Sequence, residues 1–195
     1  MGIGLIVFLV MGLSPCPPPL QVLARISQDK TQFLRVLNAL VLLFLEDRSL
    51  LETRGALVIR KLCVLLDSRG IYLSLAEILN SVPQLEFVSH MVQTLNLILL
   101  TAPELSMLRR SLKECFDPSA SVSDCQMFAS LFACWCHNPV ATFSLCLLAQ
   151  SYDLSAKLIL KFAEVDVTVG FLMQVRLWPA WKCVNAPVSA HIQAH

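Results

Sequence analysis

Helix-start signals recur along this chain at short intervals. Ser49/Glu52, Ser81/Gln84, Thr101/Glu104 and Ser123/Gln126 each place a hydroxyl three residues ahead of a Glu or Gln. That spacing lets the two side chains satisfy backbone N–H groups that the first helical turn leaves unbonded. Pro83 and Pro103 fall in first turns, where a missing N–H costs nothing. Asn138-Pro139 supplies an N-cap followed by a preset first helical residue. Between the signals the apolar residues keep helical period. Val88, Met91, Val92, Leu95 and Ile98 form a stripe opposite Glu86, Ser89, Gln93 and Asn96, and Leu105, Leu108, Leu112 and Cys115 form another. The pattern predicts helices near 19–27, 32–46, 50–67, 71–80, 84–100, 103–116, 124–136, 139–150 and 153–164, with another start near Val167. The linkers are mostly short, which favours antiparallel neighbours. Asp117–Ser123 alone has the chemistry of an exposed loop.

The chain is 56% apolar and 15% charged, against about 45–50% and about 25% in ordinary soluble domains. Such an excess demands either membrane insertion or large buried faces. A membrane-spanning helix needs about 20 nearly uncharged residues. Phe33–Leu45 carries Arg35, Leu85–Leu100 carries Glu86 and His90, and Val140–Ala149 is too short. Met1–Leu13 is uncharged, but Pro15, Pro17, Pro18 and Pro19 end any helix there. It lacks the leading positive charge of a signal peptide, and Ile6 stands where myristoylation wants Ser or Thr. Buried faces remain. Phe33–Leu45 is apolar enough to be covered on two sides, and Leu57–Leu66 and Val140–Ala149 are similarly rich. Short stacked helices of this kind describe an all-α fold, a HEAT-like α-solenoid of short antiparallel helices. The helix starts are too uneven to define a repeat period.

Little chemistry emerges. Net charge is +1, which offers no nucleic-acid footprint. Six glycines form neither a phosphate-cradling loop nor a dinucleotide fingerprint. The chain has eight cysteines, none in C-x-x-C spacing, and most lie inside apolar helical patterns. They read as reduced, packed side chains. Cys134-Trp135-Cys136-His137-Asn138-Pro139 has the composition of a metal site. Two cysteines two apart on a helix point to nearly opposite sides, however, and zinc needs four converging ligands. The segment reads instead as a helix end, with Trp135 and Cys134 packing, His137 near the C-terminal dipole and Asn138 capping the next helix. His90 lies beside Glu86 as a solvated pair, and Arg109, Arg110 and Lys113 form a small basic face. No catalytic residue, metal or cofactor is assigned.

A family likeness rests on particular segments. Leu50-Leu51-Glu52-Thr53-Arg54-Gly55-Ala56-Leu57-Val58-Ile59-Arg60-Lys61-Leu62-Cys63 resembles a signature of the vacuole-morphology scaffold family of the PIKfyve lipid-kinase complex. So do Trp135-Cys136-His137-Asn138-Pro139-Val140, Ser144-Leu145-Cys146-Leu147, Met91–Asn96 and Leu99-Leu100-Thr101. The likeness covers about residues 20–175. It implies a HEAT-repeat scaffold without catalysis, whose carboxy-terminal region binds a Sac-type phosphoinositide phosphatase and takes part in self-association. It implies control of phosphatidylinositol 3,5-bisphosphate, a cytoplasmic location peripheral to endosome or vacuole membrane, and membrane contact only through partners. Leu51, Glu52, Arg54, Gly55, Arg60, Trp135, Cys136, His137, Asn138 and Pro139 are its framework residues here. The family's amino-terminal repeats, associated with the kinase, have no counterpart, and after Val175 the match stops. Three segments are therefore expected: an apolar, Pro-rich leader at 1–19, a phosphatase-binding domain at 20–175 and a divergent tail at 176–195. A truncated or spliced product, or a frame carried into an intron, would give that arrangement. The alternative is a small membrane-anchored helical protein using Met1–Leu13.

Overall fold

Helices account for nearly all of the computed structural model, which describes residues 30–118 and 120–163. In chain order they are α1 (Lys30–Glu46), a short α2 (Arg48–Leu50), a π-helical segment (Leu51–Gly55), α3 (Ala56–Leu65), α4 (Ser68–Asn80), α5 (Leu85–Thr101), a 3-10 turn (Pro103–Leu105), α6 (Ser106–Glu114), α7 (Val122–Trp135), α8 (Pro139–Leu148) and α9 (Tyr152–Ala163). No strand occurs among the described residues. The all-α, helical-repeat arrangement expected from the sequence is the one that forms. The expected helix near 19–27, the leader and the tail lie outside the described residues.

Two rows of helices make the stack. In one, α4 packs against α1 on one side and, most extensively, against α7 on the other. In the second, α5 lies between α3 and α8. α6 leans on α7 and α8, and α9 covers part of α8. The core runs continuously between the rows. Leu37, Phe44, Ile59, Tyr72, Leu75, Phe87, Leu95, Phe128, Leu131 and Trp135 are all fully or almost fully buried. Removing that much apolar surface from water is what chiefly holds the stack together.

Local chemistry sets the helix ends, and often not at the residues the capping-box pattern singles out. Asp47 caps α2 by accepting from the Leu50 N–H at 3.0 Å, displacing Ser49 from that role. Asp67 caps α4 through the N–H groups of Arg69 (3.3 Å) and Gly70 (2.7 Å), so α4 starts before the expected residue 71. Ser121, not Ser123, caps α7 by accepting from Asp124 N at 3.1 Å. Gln84 precedes α5 without a side-chain cap. Thr101 ends that helix, its hydroxyl donating back to the Leu97 carbonyl at 2.7 Å. An Asp or Ser nearer the true first turn has the shorter reach and wins. Asn138 behaves as expected, accepting from Ala141 N at 3.0 Å with Pro139 as the first helical residue.

α8 ends in a Schellman turn. Ser151 N–H reaches the Cys146 carbonyl (3.0 Å) and Gln150 N–H the Leu147 carbonyl (3.1 Å), with Gln150 left-handed at φ 58°. Glycine usually takes this position, because a Cβ there costs roughly 1–2 kcal/mol. One expectation about packing is corrected. α1 buries Val36, Leu37, Leu40, Val41 and Phe44 on one face, but Leu42 remains 57% exposed, so among the described residues α1 is not covered on two sides.

Candidate functional site

The Cys134–Pro139 segment folds as the corner between α7 and α8. Trp135 is completely buried, and its ring centroid lies 6.2 Å from that of Tyr72 on α4. Its indole N–H donates to Asn96 Oδ1 on α5 at 3.2 Å. Tyr72 completes the joint by donating its hydroxyl to the Leu95 carbonyl at 3.0 Å. Beyond the corner, Thr142 donates to the carbonyls of Trp135 (2.6 Å) and Asn138 (2.9 Å), while Asn138 Nδ2 donates to Ser89 Oγ at 3.3 Å. Four helices thus meet around Trp135, Asn96 and Asn138. The buried indole of Trp135 and the hydroxyls of Tyr72 and Thr142 each have a partner, as low-dielectric surroundings require. Pro139 is buried and His137 half-buried.

The other framework cluster is the π-helical segment. Leu51 and Gly55 face inward, whereas Glu52 and Arg54 are exposed. A Cβ on Gly55 would stand 2.7 Å from Leu51 Cδ1 and 3.8 Å from Phe44 Cζ. Glycine leaves room for Leu51 within its own turn, while Phe44 of α1 stands at ordinary contact distance. Thr53 donates to the Ser49 carbonyl at 2.7 Å, a bond that competes with the regular helical ladder. A single widened turn of this kind is invisible to helical periodicity. Arg60 leaves α3 to reach Glu104 at 2.7 Å, and this hydrogen bond holds the Glu104 carboxyl below the usual carboxylate range. The structure does not bring the two framework clusters together, since Leu51–Gly55 packs on Phe44 while Trp135 packs on Tyr72 and Asn96.

Other structural residues have no legible motif. Arg69 ties α4 to α7, with Nη1 2.6 Å from Asp124 Oδ1 and Nη2 2.8 Å from both Ser123 oxygens. Arg48 pairs with Glu86 at 3.3 Å, replacing the expected Glu86–His90 pairing. Arg109 also departs from the expected solvated basic face. Its guanidinium donates to the Leu99 (2.9 Å) and Ala102 (2.6 Å) carbonyls and so caps the end of α5. Sequence separations of 38 to 55 residues put the first two of these partnerships beyond any local pattern.

The titratable groups describe a packed interior. Burial pushes the thiols of Cys63, Cys115, Cys134 and Cys146 up to about 12, and that of Cys136 further. None offers a thiolate near neutral pH. Burial also lowers the pKa of His137, so the imidazole is held neutral rather than charged against the helix dipole. Among the described residues no three His, Cys, Asp or Glu side chains converge as metal ligands. No single described helix is long and apolar enough to cross a membrane, and α5 meets the segment after it at 84°.

What the described surface does offer is apolar area. Leu57 and Val64 on α3, Leu85 and Leu97 on α5, Met107 on α6 and Val140 on α8 are each more than half exposed. All belong to the second row or to α6, whereas α4 exposes no large apolar side chain and α7 only Val122. An open groove of about 460 Å³ lies where α5, α6, α8 and α9 meet. It is lined by Leu100, Lys113, Ser144, Leu147, Leu148, Gln150 and Tyr152.

Comparison with known proteins gives this geometry its relatives. A family model described as Vacuolar protein 14 C-terminal Fig4p binding matches residues 48–178. "Protein VAC14 homolog" of Arabidopsis thaliana is 45% identical over 156 residues, covering 80% of this chain and 21% of that protein. The Schizosaccharomyces pombe protein of the same name is 40% identical over 158 residues, 80% of this chain and 19% of the relative. "Vacuole morphology and inheritance protein 14" of Saccharomyces cerevisiae is 34% identical over 150 residues, 76% of this chain and 16% of the relative. The chain therefore spans about a fifth of the length of these curated relatives. No solved structure matches it.

Proposed function

The chain belongs to the Vacuolar protein 14 carboxy-terminal family, and from that membership we propose that it is a non-catalytic scaffold module that binds a Sac-type phosphoinositide phosphatase. The family match over residues 48–178 carries the reading. The physical support is a surface suited to equilibrium binding: exposed apolar side chains on α3, α5 and α8, over a core whose thiols are inert. Large exposed apolar side chains are what a protein-binding face would bury. In this reading the helix pairs are HEAT repeats, and the phosphatase docks across α3, α5 and α8.

The module would then regulate phosphatidylinositol 3,5-bisphosphate turnover by holding the phosphatase near its lipid kinase. Contact with the PIKfyve-type kinase would pass through the family's amino-terminal repeats, and self-association would use the same class of apolar surface. Membrane contact on endosome or vacuole would be indirect, through these partners. Co-purification of the 195-residue chain with the Sac-type phosphatase of the same organism tests the reading. Retention is expected, with Leu97→Asp and Val64→Asp weakening it. Failure of the folded wild-type chain to retain the phosphatase would sink it.

A further inference from the structure

We infer that the groove between α5, α6, α8 and α9 takes an apolar segment of the bound phosphatase that carries a carboxylate beside a large side chain; this rests on the binding reading above. Its volume, about 460 Å³, lies within the range of about 300–1,000 Å³ that binding pockets occupy. It is open rather than enclosed, which fits side chains presented by a partner surface better than a small molecule.

The chemistry of the walls selects the occupant. Leu100, Leu147 and Tyr152 remain 41%, 43% and 65% exposed there, so an apolar side chain laid between them removes surface that folding leaves wet. Lys113 is the one charged residue in the lining. Its side chain is exposed and makes no ion pair within the described residues, so it is open to a charge from outside. An ammonium on the rim of an apolar groove, with no acidic side chain in the lining, is complementary to a carboxylate delivered with the apolar group.

Gln150 points the same way. It occupies the left-handed position that ends α8, where glycine would be less strained. Its side chain lines the groove and makes no hydrogen bond within the described residues. A left-handed residue at the groove, with an exposed amide able to donate and accept, is placed to meet the main chain of a docked segment.

Lys113→Glu, Leu147→Asp and Gln150→Gly in the full chain test this by phosphatase affinity, with helix content and melting temperature read in parallel. Lys113→Glu and Leu147→Asp are expected to weaken binding about tenfold or more without unfolding the chain. Wild-type affinity is expected to fall with added salt, and Lys113→Met to flatten that dependence. Gln150→Gly is the sharpest case. Relief of strain raises its melting temperature, while loss of the amide lowers its affinity. A purely structural Gln150 would give the first effect without the second. Wild-type retention with all groove variants binding equally well would overturn this inference and leave the scaffold reading standing. Loss of retention by the wild-type chain would remove both. Groove variants that change the oligomer mass by light scattering but not phosphatase affinity would assign the groove to a second copy and overturn the inference.

Discussion

Cys134 and Cys136 show how little composition says about a residue until its surroundings are known. In the sequence they flank a tryptophan and precede a histidine, the raw material of a metal site. In the structure both are buried apolar-like side chains whose thiols hold their protons until strongly alkaline pH. Alkylation with iodoacetamide at mildly alkaline pH, mapped by peptide mass spectrometry, should therefore leave Cys63, Cys115, Cys134, Cys136 and Cys146 unmodified in the folded chain. Denaturant should expose them all, and rapid native labelling of Cys134 or Cys136 would contradict the packing described. His137 gives a second residue-scale expectation. Its folded-state pKa is below the unfolded value of about 6.5. The unfolded chain therefore binds the proton more readily, so stability is fully present above that pH and falls as pH drops below it. Chemical denaturation about one pH unit above and one below that value should show this loss, and His137→Gln should reduce it. The depressed Asp124 acts in a separate, more acidic window, since its stabilisation disappears only as pH falls through the carboxylate range.

Elements were legible to different depths. The stripes on α5 and α6 are readable because i, i+3 and i+4 neighbours share a helix face wherever the helix is placed. Asn138-Pro139 was equally readable, because cap and first turn lie within a few residues of each other. The capping boxes at Ser49, Ser81, Thr101 and Ser123 misled by a few residues, since Asp47 and Ser121 offered nearer acceptors. The π-helical turn at Leu51–Gly55 left no periodic trace. Gly55→Val should push Leu51 off its seat and cost about 1–3 kcal/mol in urea denaturation. Gly55→Ala should cost less, because its gain in helix propensity, about 1 kcal/mol, offsets part of the clash. Equal stability of wild type and Gly55→Val would show that Leu51 can shift aside without cost.

For the whole molecule, the joint around Trp135 is the most consequential contact. It joins α4, α5 and α7 by ring packing and an indole hydrogen bond. Trp135→Ala should remove about 3–5 kcal/mol, a large part of the roughly 5–15 kcal/mol typical of a domain, and lower the urea midpoint accordingly. Trp135→Phe should cost less in packing while leaving the Asn96 carbonyl oxygen without its donor. A change under about 1 kcal/mol in the alanine variant would mean that the rows are held elsewhere. By itself the sequence determined the fold class, most helix spans, the α7–α8 corner and, through its likeness, the family. Each of these is encoded within a few residues or in the order of unusual segments. Only the tertiary structure decided which apolar residues face inward: Leu40 and Leu145 are buried, Leu42 and Leu147 are not. It alone set Arg69 on Asp124, turned Arg109 into a cap and opened the groove at Lys113 and Gln150. Those outcomes depend on residues far apart in the chain arriving at one place, and helical periodicity carries no record of where a helix will dock.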